Sequence, residues 1–137
     1  MKVQEFLNKI RNQKSRSAID AVLVEVGNFY EINFSQYNVG LLYLAAVLKE
    51  KGFSVKCLAN YDLFFLSIEK LAELFHRWRP AVVGFYTLSD TINQVRYMAH
   101  MIKKWAPGSK IVMGGPLATV MPEEFLKNRV FDYVIKG

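Results

Sequence analysis

Short apolar runs and helix-period segments take turns along this chain, and that alternation leaves few folds open. Five runs rich in Val, Ile and Leu, at residues 18–26, 53–59, 81–86, 110–113 and 131–136, predict strands. Between them, residues 39–51, 67–78, 91–105 and 122–127 carry helical spacing. The punctuation agrees. Gly52 stands where the first helix must stop, and Pro80 and Pro107 cannot continue the second and third. Pro122 suits the first turn of the fourth, with Glu123 and Glu124 near its positive dipole end. Strands apolar on both faces belong to a parallel sheet covered on both sides.

Right-handed crossovers then predict a single α/β domain of Rossmann-like, flavodoxin-like form, with five parallel strands in the order 2-1-3-4-5 and helices on both faces. Ligands of such sheets bind beyond the carboxyl ends of the strands, at the switch point between strands 1 and 3. The loops that matter are therefore 27–38, 87–91 and 114–121. The first is twelve residues long and holds Phe29, Tyr30, Phe34 and Tyr37 among amides, which suits a large, flat, partly polar ligand, a partner surface, or a self-filling lid. The second offers Tyr86, Thr87, Leu88 and Ser89; Ser89 or Asp90 can equally cap the next helix. The third begins Gly114-Gly115-Pro116, where a missing Cβ allows close backbone approach, and ends near Thr119.

Charge and composition narrow the function. The chain has 137 residues and a formal charge of +6, but residues 1–17 supply most of it through Lys2, Lys9, Arg11, Lys14 and Arg16 against Glu5. Within that basic extension Val3, Phe6, Leu7 and Ile10 share one helical face, to pack on the domain or a neighbouring subunit of a homodimer, or to touch a membrane surface or nucleic acid. Residues 18–137 form the folded unit, on which no nucleic-acid stripe is expected. The single cysteine, Cys57, excludes an internal disulfide and any multi-cysteine metal site, and is read as a small buried hydrophobe. No run of about 18 apolar residues and no signal-peptide pattern occurs, so a cytoplasmic protein without a transmembrane segment is expected. Neither a dinucleotide fingerprint nor a triphosphate-binding loop is present. His76 and His100 sit among basic helical residues and are expected in solvent. Glu25 either marks the mouth of strand 1 or pairs with a cation.

Several stretches together resemble one family. Val39-Gly-Leu-Leu-Tyr-Leu-Ala-Ala-Val-Leu-Lys-Glu-Lys-Gly52, Pro80-Ala-Val-Val-Gly84, Gly114-Gly-Pro-Leu-Ala-Thr119, Pro122-Glu-Glu124 and the ending Phe131-Asp-Tyr-Val-Ile-Lys-Gly137 resemble, in order, the N-terminal cobalamin-binding domain of cobalamin-dependent radical S-adenosylmethionine enzymes. The likeness covers about residues 20–137. It implies a corrin ring over the carboxyl edge of the sheet and a nucleotide tail beside the switch point. Tyr37, Asn38 and Gly40 would then face the corrin. Tyr86, Thr87 and Leu88 occupy the family's Ser-x-Leu position, followed by Ser89. Gly114 and Gly115, with Pro116 and Thr119, would run along the tail, and Gly115→Val would block uptake without disturbing the fold.

The departures carry information too. Tyr37 stands where related domains place the histidine of Asp-x-His-x-x-Gly, which implies a cobalt without a histidine ligand. Glu25-Val26-Gly27 replaces Asn-Pro-Pro, Leu117 replaces a common histidine, and Tyr86 replaces a serine and would narrow the tail slot. One cysteine cannot ligate the family's iron–sulfur cluster. The S-adenosylmethionine site and 4Fe–4S cluster therefore belong, by this resemblance, to a downstream radical domain of a longer enzyme that methylates, cyclises or rearranges its substrate. No catalytic residue and no metal ligand is assigned within this chain. Two other readings stay open: a domain that has lost corrinoid binding and serves docking or substrate recognition, with Leu63-Phe-Phe-Leu66 as its patch, and a flavin or nucleotide binder on the same fold.

Overall fold

A computed structural model describes residues 4, 5, 8, 18–26, 39–59, 62–63, 66–86, 91–120, 123, 127 and 129–135. Its elements alternate as the sequence demands: β1 (Ala21–Glu25), α1 (Val39–Glu50), β2 (Val55–Leu58), α2 (Ile68–Trp78), β3 (Val82–Tyr86), α3 (Ile92–Trp105), β4 (Lys110–Gly114), α4 (Pro116–Val120) and β5 (Tyr133–Val134). All pairings are parallel and the strand order is 2-1-3-4-5, as predicted. The basic extension and the aromatic first loop lie mostly or wholly outside the described residues.

Because side chains alternate along a strand, the sheet sorts its residues onto two faces. Ala21 and Leu23 of β1 join Val55, Val82 and Val112 under Ala45 and Leu48 of α1. Val22 and Val24 join Val83, Phe85, Ile111 and Met113 under Leu71 and Phe75 of α2 and Val95, Met98, Ala99 and Ile102 of α3. Phe75 is fully buried, with the Trp78 and Trp105 rings 5.8 and 6.0 Å away. Among the described residues α1 covers the first face, and α2 and α3, with Ala118 of the short α4, cover the second.

Polar side chains tie the amino edge of the sheet and its last turn. Asp20, just before β1, accepts bonds from the Ser54 backbone N–H at 2.8 Å and from its hydroxyl at 3.2 Å, which fixes β1 against β2. Asp132 accepts from Ile111 N–H and from Lys103 Nζ, both at 2.8 Å, while Lys103 also donates to Ser109 O. The entry to β5 is thereby pinned to β4 and α3. Ser67 caps α2 by accepting from Lys70 N–H at 3.1 Å, and Arg79 closes that helix with φ 42°. Gly52 stops α1 with φ 91°, a conformation that glycine adopts without strain.

Three boundaries differ from the sequence reading. Residues 18–20 precede β1 as bends whose Ala18 and Ile19 N–H groups reach Trp78 O. β5 is two residues long, although Asp132 and Ile135 extend the ladder by bonds to Ile111 O and Met113 O. The third difference bears on the site. The stretch read as a loop from 114 to 121 contains α4, because Gly115 turns the chain and Pro116 occupies the first helical position. Of the helix expected at 122–127, Glu123 is helical and its carbonyl accepts from Lys127 N–H; the intervening residues lie outside the described set. Leu63 is buried and Leu66 packs against the second-face core, so these two members of the expected partner patch serve the interior; residues 64 and 65 lie outside the described set.

Candidate functional site

The strand register brings three residues side by side at the carboxyl edge. Glu25 ends β1 opposite Tyr86 of β3, and Tyr86 lies opposite Gly114 of β4. All three lie on the α1 face, two positions beyond Leu23, Gly84 and Val112. Glu25 stands at the mouth of β1.

Two glycines on that face look alike in sequence and do different work. A Cβ on Gly84 would come within 3.1 Å of Leu23 Cδ2, so the missing methylene there is already used by the core. A Cβ on Gly114 would meet only the Phe85 carbonyl, at 3.9 Å, among the described residues. Tyr86, half-buried beside Gly114 in the register, has no described atom within 4 Å of that Cβ position. Among the described residues, the Gly114 Cβ position has room for a methyl group at the carboxyl edge of the sheet.

Gly115 has a conformational task. Its φ of 97° lies where side-chain-bearing residues are strained, so Gly115→Val would damage the turn into α4 as well as any ligand contact. The Thr119 hydroxyl donates to Gly115 O at 3.0 Å, and Thr119 N–H to the same oxygen at 3.1 Å, which locks the turn. Pro116 opens α4. Gly40 is the second residue of α1 and exposed. Tyr37, Asn38, Thr87, Leu88 and Ser89 lie outside the described residues, as does Asp90. Thr91, not Ser89 or Asp90, holds the cap position of α3, without a side-chain cap bond.

The sequence reading missed a cavity on the same face. It measures about 100 Å³ and lies at the carboxyl ends of β1 and β2, beneath the start of α1. Leu23, Leu41, Leu42, Leu58 and Ala59 line it, together with Cys57, Glu25 and Asp62. Cys57 is thus exposed at a site and not a core residue. Burial pushes its thiol pKa up, Lys49 pulls it down, and Asp62 adds to the rise. The clue in the sequence was a polarisable residue and an acid ending adjacent strands, but which strands adjoin is known only from the topology.

His76 and His100 are exposed, as expected. His76 lies in the last turn of α2, the end of a crossover helix that returns to the amino edge, and His100 lies beyond the middle of α3. Both helices cover the face opposite Gly114. Among the described residues no group of three or more His, Cys, Asp or Glu could hold a metal ion, and no helix is long and apolar enough to cross a membrane.

With this geometry in place, residues 27–137 match the family described as B12 binding domain. The chain belongs to that family. Among solved structures, the domain is similar to the radical S-adenosylmethionine methyltransferase TsrM from Kitasatospora setae. The form with cobalamin and an iron–sulfur cluster bound gives a TM-score of 0.69 at 20% identity, over 85% of this chain and 23% of that one. The form with tryptophan substrate and a S-adenosylmethionine analogue gives 0.65 at 22% identity, over the same shares. This B12-binding domain therefore spans about a quarter of the length of the enzyme it resembles in fold. No curated protein sequence matches it.

Proposed function

We propose that this B12-binding domain holds cobalamin along the α1 face of its carboxyl edge, with no histidine from its first loop on the cobalt, as the cofactor-bearing part of a radical S-adenosylmethionine enzyme. The room for a Cβ at Gly114, among the described residues at the carboxyl edge of the sheet, supports the reading. A nucleotide tail is long, flat and rich in hydrogen-bonding groups, and it needs a wall that it can approach to van der Waals distance. Gly114 offers such a wall, Gly115 and α4 hold it in place, and the Leu23–Gly84 contact keeps the floor beneath it solid. Tyr37, Asn38 and Gly40 are assigned to the corrin side, and Tyr86, Thr87, Leu88 and Ser89 to the slot opposite Gly114.

The cofactor, when bound, supplies methyl carriage or related corrinoid chemistry; the chain's own residues bind, orient and limit access. Tyr37 occupies the position from which a histidine would reach the cobalt, and a phenol is a poor substitute. His76 and His100 sit on the wrong face to compensate. The radical chemistry, the 4Fe–4S cluster and S-adenosylmethionine are assigned to a downstream domain of the same enzyme, whose reaction is a methyl transfer, cyclisation or rearrangement.

Titration with hydroxocobalamin, followed by its visible spectrum and by calorimetry, tests the proposal. Saturable binding, with a cobalt spectrum unchanged in His76→Ala and His100→Ala, is expected. No uptake at high micromolar cobalamin refutes it.

A further inference from the structure

The amino edge of the sheet, opposite the proposed cofactor site, is basic. α1, α2 and α3 each return the chain to that edge, so their last turns gather there. The Trp78 and Trp105 rings lie 5.8 and 6.0 Å from Phe75, which sets the ends of α2 and α3 side by side. Arg77, Arg79 and Lys104 stand exposed on those ends, and Lys51 follows α1. Among the described acids of this edge Glu50 is exposed, whereas Asp20 and Asp132 accept internal bonds from Ser54 and from Ile111 and Lys103. Helix dipoles favour each such cation locally. They do not explain why a basic segment joins the fold at the same place.

Residues 1–17 carry five cations against one acid, and they enter beside Arg77 and Arg79, because Ala18 and Ile19 N–H donate to Trp78 O. At about 3.6 residues per turn, Val3, Phe6, Leu7 and Ile10 fall in one arc, with Lys2 and Lys9 on one flank and Arg11 on the other. Gln4, Glu5 and Asn8 fall on the remaining side. These three are helical and exposed, and Gln4 Nε2 donates to Asn8 Oδ1 at 3.2 Å. An apolar stripe between cationic flanks suits a bilayer interface, where the stripe enters and the charged tips stay among the headgroups. A nucleic acid would use the cations and leave the stripe idle.

We infer that the amino edge, together with residues 1–17, is a docking surface for an anionic lipid bilayer. The carboxyl edge then faces away from the lipid. The inference is independent of the cobalamin reading.

Flotation of the full chain with vesicles tests it, comparing phosphatidylcholine alone with a mixture containing roughly one-third phosphatidylglycerol. At about 0.1 M salt the anionic vesicles should bind at least about tenfold more tightly, and about 1 M salt should remove most of that difference. Arg77→Gln, Arg79→Gly and Lys104→Gln combined should weaken anionic binding at least about tenfold, since each surface cation is worth up to about fivefold. Glycine suits the φ of 42° at residue 79, so this variant should keep its melting temperature. Leu7→Ser should weaken binding severalfold without lowering the melting temperature. Equal binding to both vesicles, binding to neither, or undiminished binding of the triple variant overturns the inference. So does a lower melting temperature in Leu7→Ser, which would put the stripe against the domain. Capture of a single-stranded DNA oligonucleotide with no uptake by vesicles also overturns it, and would make this a nucleic-acid surface.

Discussion

Replacing Gly114 by valine separates the proposed ligand surface from the fold. The new Cβ meets only the Phe85 carbonyl at 3.9 Å, an ordinary van der Waals distance, among the described residues. A glycine inside a strand costs about 0.5–1 kcal/mol relative to alanine, and valine suits a strand better still. Gly114→Val should therefore melt no lower than the parent and up to roughly 4 °C higher for a domain of this size. Ligand binding should move the other way. An isopropyl group intruding on a packed surface costs about 1–3 kcal/mol, which corresponds to roughly 5- to 150-fold weaker binding. Gly115→Ala provides the contrast. At φ 97° the added methyl costs about 1–3 kcal/mol of stability, or roughly 4–12 °C of melting temperature, with a smaller loss of affinity. Circular dichroism melts and calorimetric titration with hydroxocobalamin read both quantities on the same samples. Undiminished affinity in Gly114→Val would show that no ligand lies against that strand, and a large drop in its melting temperature would show that the space is not open.

Other substitutions test the scaffold. Gly84→Val should destabilise by about 1–3 kcal/mol in thermal melts, because its Cβ meets Leu23 Cδ2 at 3.1 Å; a Leu23→Ala background should recover part of the loss, and full additivity would refute the contact. Asp132→Ala removes the acceptor shared by Ile111 N–H and Lys103, and urea unfolding should show a loss of about 1.5–3 kcal/mol. For Cys57, burial disfavours the thiolate, so its folded pKa lies above the unfolded value. The resulting stability is present below the unfolded pKa and fades as pH rises through the folded one. The midpoint of its alkylation rate against pH should accordingly exceed that of the urea-unfolded chain, rise in Lys49→Met and fall in Asp62→Asn; a midpoint equal to the unfolded one contradicts the assignment.

The period of the apolar pattern was enough to determine the five strands and the three long helices and, with right-handed crossovers, the order of the strands in the sheet. Local chemistry at Gly52, Pro80 and Pro107 placed the helix ends. Pro116 shows the limit: the rule that puts proline in a first helical turn applied at both 116 and 122, and the left-handed backbone of Gly115 starts α4 at the earlier one. The edge proposed to carry the site was chosen from topology alone. Which residues share that edge could not be, because pairing register joins positions far apart in the chain. Only the assembled sheet shows that Leu23 fills the space at Gly84 while Gly114, among the described residues, has room for a Cβ, and that Glu25, Cys57 and Asp62 line one cavity. A glycine's identity is written in the sequence, but what occupies the volume its absent side chain leaves is a property of its neighbours in space.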